Sequence, residues 1–175
     1  MTQSRVHIRE ITEADVRTVA EIRVRGWRWA YEGIVPQPYL DAMDPEEEAD
    51  RRREFLSQSR GRVQNLLAVV DGEPVGWASF GPYRGEPDDA GDGELYALYV
   101  LPEHVGTGVG RALTSATVLR TAERGRDRLL VWVLADNARA RRFYAAAGFA
   151  PDGAEASDDY DGVTLREVRY VRRVP

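Results

Sequence analysis

The chain has 175 residues, with 24 Lys plus Arg against 29 Asp plus Glu and a formal charge of −5, a length that suits one domain spanning 1–175. The cation deficit excludes a general nucleic-acid surface, and the absence of cysteine excludes disulfides, thiolate metal sites and a cysteinyl intermediate. With only His7 and His104 no histidine metal cage is expected; with no apolar run of about 18 residues and a charged N-terminus, the chain is expected to be cytoplasmic, without membrane partners.

Val6 to Ile11 alternates apolar and polar residues as a half-buried strand does. Thr12-Glu-Ala-Asp then forms a capping box ahead of Val16, Ala20, Val24, Trp27 and Tyr31, which fall on one helical face. A second helix over Pro45 to Arg60 pairs Glu47 with Arg51 and Glu48 with Arg52 at i, i+4, a pattern of a solvated face. Leu66 to Val70 and Pro74 to Phe80 flank Asp71-Gly72 and predict a hairpin. After a loop with Pro82, Gly85, Pro87, Gly91 and Gly93, the run Glu94 to Val100 is an aromatic and branched strand that Pro102 halts. A helix follows from near Gly108 to Ala122, with Ala112, Leu113, Ala116 and Leu119 on its packed side. The continuous apolar run Leu129 to Leu134 predicts a strand buried on both faces. Asn137 to Ala147 is a helix that Gly148 ends, and after an acidic turn at Asp158 to Gly162 the segment Val163 to Val174 gives the last strand. This order is that of an α/β sandwich with a mixed sheet.

The segment Leu101-Pro-Glu-His-Val-Gly-Thr-Gly-Val-Gly-Arg-Ala-Leu113 places glycines at 106, 108 and 110 between a strand and a helix start. Such a loop lets backbone N–H groups converge on an anion, with the helix dipole reinforcing the attraction. It lacks the Lys and Ser/Thr of a nucleotide P-loop and the spacing of a dinucleotide fingerprint.

The longer run Gly93-Glu-Leu-Tyr-Ala-Leu-Tyr-Val-Leu-Pro-Glu-His-Val-Gly-Thr-Gly-Val-Gly-Arg-Ala-Leu113 resembles the acetyl-CoA motif of the GNAT superfamily of N-acetyltransferases. Asn137-Ala-Arg-Ala-Arg-Arg-Phe-Tyr-Ala-Ala-Ala-Gly-Phe149 is similar to that superfamily's Asn…Phe-Tyr…Gly-Phe helix. Ile8-Arg9…Ala14-Asp15 and Glu167-Val-Arg-Tyr170 resemble its two ends, so the likeness covers nearly the whole chain. Val105 departs from the pattern, which usually has Gln or Arg there. The resemblance implies a mixed, mostly antiparallel central sheet with a splayed parallel strand pair, flanked by helices. It further implies acetyl-CoA as co-substrate and no metal. Main-chain groups of Leu98, Tyr99 and Val100 would pair with the pantetheine arm. Amides of Val105, Gly106, Gly108, Gly110 and Arg111 would hold the pyrophosphate. Arg111 either adds a charge there or is a solvated first-turn arginine, and Asn137 either touches the pantetheine or only caps its helix.

Acetylating an amine requires its neutral form, although a lysine-like amine titrates near pH 10.4. Glu94 is the candidate base, placed by two-residue alternation on the face of Tyr96 and Leu98; the other reading is an exposed strand-end carboxylate. A main-chain N–H near Tyr99 or Val100 would stabilise the oxyanion. Tyr144 matches the tyrosine beside the sulfur that protonates the CoA thiolate, the alternative being a packing aromatic beside Phe143. No covalent acyl-enzyme is needed, so a ternary complex is expected.

For the acceptor, Trp27, Tyr31, Tyr39, Phe80 and Tyr96 are candidates, although aromatics at helical spacing are more often core and Trp27 in particular is expected there. The acidic loops Asp88-Asp89…Asp92 and Asp158-Asp159…Asp161 either draw in a cationic amine or are ordinary solvated turns. The expected acceptor is a small-molecule amine. The alternatives are a protein lysine or N-terminus and a non-catalytic acyl-CoA sensor. A homodimer is compatible with the resemblance.

Overall fold

A computed structural model describes residues 6–85 and 91–175. Its seven strands form one sheet in the order β1-β2-β3-β4-β5-β7-β6, with β1 at His7–Glu10, β2 at Gln64–Val70, β3 at Glu73–Pro82, β4 at Gly93–Val100, β5 at Arg128–Leu134, β6 at Ala150–Tyr160 and β7 at Val163–Arg173. Every pairing is antiparallel except that of β4 with β5. Helices α1 (Val16–Ala30), α2 (Gln37–Asp41), α3 (Pro45–Gln58), α4 (Val109–Glu123) and α5 (Ala138–Ala146) complete the chain, giving the mixed, mostly antiparallel sheet with flanking helices that the sequence implies. Among the described residues no helix is long and apolar enough to cross a membrane.

The capping box is present, but one step earlier than a simple helix start. Thr12 opens a 3-10 turn, Glu13–Asp15, and α1 begins only at Val16. Asp15 holds the junction: its carboxylate accepts from the Thr12 amide at 2.7 Å and from both terminal nitrogens of Arg9 at 2.7 and 2.8 Å, which keeps its carboxyl well below the usual range. Helix α2 has no sequence signal because a single turn cannot show periodicity; Arg28 fixes it by donating to the carbonyls of Leu40 and Met43. The expected ion pairs on α3 form, Arg51 to Glu47 at 3.0 Å and Arg52 to Glu48 at 2.8 Å. The second is not on a solvated face. Glu48 is buried, and the Arg52 guanidinium lies 4.7 Å over the Trp77 ring.

Helices α1 and α3 cover one face of the sheet, where Val19 and Ile22 pack on Leu67 and Trp77. Helix α4 covers the other, with Val109 and Leu113 against Val75, Phe80 and Leu95. Its packed side is Val109, Leu113, Thr114, Thr117, Val118 and Thr121, not a stripe ending in Leu119, which is 56% exposed. The threonines enter the core because Thr114 and Thr121 donate to the carbonyls of Gly110 and Thr117 one turn back, so two hydroxyls are buried with acceptors. The hairpin turn is as expected, with Asp71 and Gly72 both at positive φ as a tight two-residue turn demands. The last third differs from expectation. Asp158 to Tyr160 belongs to β6, and only Asp161 and Gly162 make the turn.

Two features of β4 position the site. Its pairing with β3 steps from Ser79–Ala97 to Phe80–Leu95, so Tyr96 is an extra residue, a bulge. Its pairing with β5 comprises only Gly93–Leu129 and Glu94–Leu130, after which the two strands diverge. The closed end is pinned by Asp92, which is buried and takes two bonds from Arg128, at 2.5 and 3.0 Å; Asp92 is thus a structural ion pair and not part of an acidic loop, and Asp88 and Asp89 lie outside the described residues. Asp92→Ala should leave Arg128 without its carboxylate and destabilise the protein by about 1.5–3 kcal/mol, as loss of a hydrogen bond to a charged group typically does. Thermal unfolding monitored by circular dichroism checks this.

Candidate active site

Where β4 and β5 part, a cleft of about 790 Å³ opens through the sheet. Leu95 to Val100 form one flank and Val131 to Val133 the other, while β3 and β7 brace the two strands from outside as far as Val100 and Leu134. Peptide groups of β4 that face the opening have no strand partner and can pair with an extended ligand.

At the mouth stands the glycine loop. Gly106 and Gly108 have φ of 80° and 97°, and Gly108 caps α4, so the first-turn N–H groups of the helix are unpaired by geometry and face a cleft lined by Val105, Gly106, Gly108, Gly110 and Arg111. Gly110 serves packing instead: a Cβ there would stand 3.2 Å from the Phe143 ring. Val105 is exposed. Asn137 lines the cleft and caps α5 through Oδ1, which accepts from the Ala140 amide at 3.0 Å. The side-chain amide nitrogen is free of that bond.

Tyr144 is buried and lines the cleft from α5. Burial, with Tyr99 nearby, raises its hydroxyl pKa, so it is a protonated phenol at neutral pH. Tyr31 and Tyr99 reach the same cleft from the α1 side, their hydroxyls 3.4 Å apart, and burial raises both. Trp27 centres an aromatic cluster on this side, with ring centroids 4.6 Å from Tyr31, 6.1 Å from Tyr39, 6.4 Å from Tyr99 and 6.2 Å from Tyr160. It is a core residue by burial, at 9% exposed, yet its indole N–H has no acceptor among the described residues.

Three expected residues are placed differently, two of them by the bulge. Leu95 and Leu98 pack in the same cluster with Phe80, while Ala97 and Tyr99 pack with Trp77 on the opposite face. Simple alternation therefore fails at Tyr96, and Glu94 does not share the face of Leu98. Its carboxylate is 3% exposed and accepts from Arg84 three times, at 3.0, 3.2 and 2.6 Å. Tyr96 is among the residues lining the cleft but donates its hydroxyl to the Pro82 carbonyl, and burial together with Glu94 pushes it up to about 12. Phe80 is buried on the α4 face and lies outside the cleft lining, because alternation along β3 places it on the side of Ala78.

A family model described as the Acetyltransferase (GNAT) family matches residues 22–149. The uncharacterized N-acetyltransferase YuaI of Bacillus subtilis is 34% identical over 93% of this chain and 90% of its own length. The chain belongs to the GNAT acetyltransferase family. Among solved structures, the PaiA N-acetyltransferase of Thermoplasma acidophilum in complex with coenzyme A superimposes with a TM-score of 0.76 at 21% identity, covering 97% of this chain and 99% of that one. The YncA protein of Salmonella typhimurium with acetyl-CoA gives 0.73 at 22% identity, covering 98% and 95%. These two show the likeness of fold.

Within this GNAT fold several cleft residues carry no sequence signal. Arg139 lies with its guanidinium 3.9 Å over the Trp29 ring, joining α5 to α1 at the mouth. Arg172, from β7, lines the cleft at the opposite end of α5, where it stands opposite Leu129 and donates to the Ala147 carbonyl at 2.5 Å. Arg139 sits inside the helix motif, and its period alone did not mark it. Gly108→Ala puts a Cβ on a φ of 97° with nothing within 4 Å, so its cost is backbone strain alone, about 1–2 kcal/mol. A fall of the thermal midpoint with unchanged secondary structure is the expected result.

Proposed function

We propose that the protein transfers the acetyl group of acetyl-CoA to the primary amine of a small molecule, by direct attack in a ternary complex. The observation that carries this reading is the parting of β4 and β5 after two paired positions, with the glycine loop at the open end. An extended pantetheine arm fits against the peptide groups of Leu98, Tyr99 and Val100 as a further strand. A pyrophosphate suits the amides of Val105 to Arg111 at the α4 N-terminus, and Arg111 and Arg139 supply positive charge at that end. The coenzyme A and acetyl-CoA in the Thermoplasma and Salmonella proteins support the same ligand here.

The remaining side chains divide the chemistry. Tyr144, protonated and aimed into the cleft lining, is the acid for the departing thiolate. The amides of β4 beyond the bulge suit the oxyanion formed on attack, since the bulge re-aims that stretch of backbone. Asn137 has an amide nitrogen left over for the pantetheine. Arg84 saturates the Glu94 carboxylate, which favours Glu94 as the anchor of Arg84 over Glu94 as the proton acceptor. The acceptor side favours a small molecule, because Tyr31 in the cleft lining is backed by the packed rings of Trp27, Tyr39 and Tyr160, whereas a polypeptide acceptor needs an open groove.

Calorimetric titration with acetyl-CoA, followed by thiol release across a panel of amines, tests the reading; absence of binding overturns it. Tyr144→Phe should retain acetyl-CoA affinity and lower kcat by about 10²-fold, the usual effect of removing a general acid. Initial-rate plots should intersect, and parallel lines would point to a covalent intermediate.

A further inference from the structure

We propose that Glu167 is the carboxylate that receives the acceptor's ammonium group and removes its proton, and that the acceptor is a cationic primary amine on an apolar or aromatic body. This rests on the acetyltransferase reading above and names the missing base and the substrate class within it.

The argument starts from the sheet register. Val131 and Val133 pack on the α4 face, whereas Leu134 packs with Trp27 on the α1 face; Trp132 therefore shares the α1 face with Leu134. Residues directly opposite each other in an antiparallel ladder project to the same side. Glu167 is opposite Leu134 and Arg169 opposite Trp132, and Leu165 joins the Trp27 cluster. Glu167 thus stands on the acceptor face, one strand from the cleft flank that Trp132 and Val133 form. On β6, Asp158 is opposite Leu165, and Tyr160 packs in the same aromatic cluster.

Glu167 is half-buried and has no ion pair or hydrogen bond from its carboxylate to the other described residues. The charged groups facing it are Asp158 from β6, Glu94 from β4 and Arg84 from the loop after β3, with Tyr160 beside them. Arg84 is already bound by Glu94, and Arg169 on the same strand is bound by Asp152 at 2.7 Å. Burial, then Asp158 and Glu94, raise the Glu167 carboxyl above its ordinary range, and Arg84 offsets this only in part. A half-buried carboxylate with no ion-pair partner among the described residues, beside a cluster of aromatic rings, is the complement of an alkylammonium group.

The step balances as follows. The acceptor R–NH3⁺ gives one proton to Glu167, and the freed lone pair forms the C–N bond at the thioester carbonyl carbon. The C–S bond then breaks, and the thiolate takes the Tyr144 hydroxyl proton. The second proton from the new amide nitrogen restores Tyr144, and Glu167 releases its own to solvent.

The experiment compares wild type, Glu167→Gln, Glu167→Asp and Glu94→Gln, using tyramine, phenethylamine and cadaverine as probes and 4-ethylphenol as an uncharged binding control. Glu167→Gln should bind acetyl-CoA and 4-ethylphenol as wild type does. It should raise KM for the acetylated amine about ten-fold, as loss of one charge-assisted hydrogen bond implies, and abolish the fall of kcat/KM at low pH. Glu167→Asp should restore that acid limb, and Glu94→Gln should keep it. Because the raised carboxyl makes the ionised form unfavourable in the folded state at neutral pH, a penalty that vanishes as pH falls through the folded-state value, Glu167→Gln should also raise the thermal midpoint at pH 7. Retention of both KM and the acid limb in Glu167→Gln, or loss of the limb in Glu94→Gln instead, overturns the proposal. So does a wild type that binds acetyl-CoA yet neither binds nor acetylates any of the three amines. Failure to bind acetyl-CoA overturns the acetyltransferase reading itself, and this proposal with it.

Discussion

Two adjacent parallel strands held together at one end and apart at the other are the constraint on which the rest of this structure depends. The closed end is over-determined. Asp92 and Arg128 form a buried-side ion pair across the starts of β4 and β5, the Asp92 carbonyl accepts from Arg126 at 2.7 Å, and Gly93 is bare because a Cβ there would stand 2.8 Å from Thr121. The open end follows from the bulge at Tyr96, which bends β4 while β3 and β7 keep the outer edges paired. Close approach of α1 then fixes the opening from above. A Cβ on Gly26 would meet the Tyr99 Cβ at 2.9 Å, so the helix that carries Trp27, Trp29 and Tyr31 lies directly on the diverging strand. Overpacking at such a contact typically costs about 1–3 kcal/mol, enough to make the glycine a condition of the geometry.

Charge is distributed along the opening with a sense of direction. Arg111, in the first turn of α4, and Arg139, in the first turn of α5, line the glycine-loop end, although the chain carries a net −5. Glu167 and Asp158 stand on the acceptor face, where the positive groups Arg84 and Arg169 are already neutralised by Glu94 and Asp152. A polyanion and a cation entering the same cleft are thus sorted to opposite ends by the local field, which acts over several ångströms in a low-dielectric channel. Tyr31, Tyr99 and Tyr144 separate the two ends, and all three are held protonated by burial, so the middle of the cleft carries hydrogen-bond donors and no formal charge.

The glycine loop, the Asp71-Gly72 turn and the β5 run were legible in the sequence because each is a local requirement: a positive φ, a tight turn, a strand covered on both faces. The bulge was not. Alternation assumes an unbroken ladder, and nothing in Glu-Leu-Tyr-Ala-Leu-Tyr announces an extra residue; only the pairing with β3 exposes it. That one residue moves Glu94 away from the face of Leu98. Strand β6 was equally silent. Ala150–Tyr160 holds Pro151, Gly153 and four carboxylates, a composition that a central strand rejects but a strand paired on one side tolerates. Its register with β7 decides where Tyr160 falls, so the aromatic cluster around Trp27 stayed out of reach of periodicity. Asp92 looked like turn acid for the same reason: its partner lies 36 positions later in the chain.

The departures from regular folding gather where the two strands separate. In the sheet's interior Leu66, Leu67, Leu129 and Leu130 are fully buried on ordinary ladders. Around the cleft a bulge interrupts β4, and among the described residues its peptide groups lose a strand partner, the buried Trp27 indole has no acceptor, and the half-buried Glu167 has no ion-pair partner. Each of these raises the free energy of the folded protein, and a chain selected for stability alone has inexpensive remedies, such as an unbulged strand paired along its length or a glutamine at 167. Their concentration around a single opening is what a site shaped for ligands requires. A strand that zipped to β5 as far as Leu134 would satisfy its amides and leave no room between Tyr99 and Tyr144 for a thioester to meet an amine.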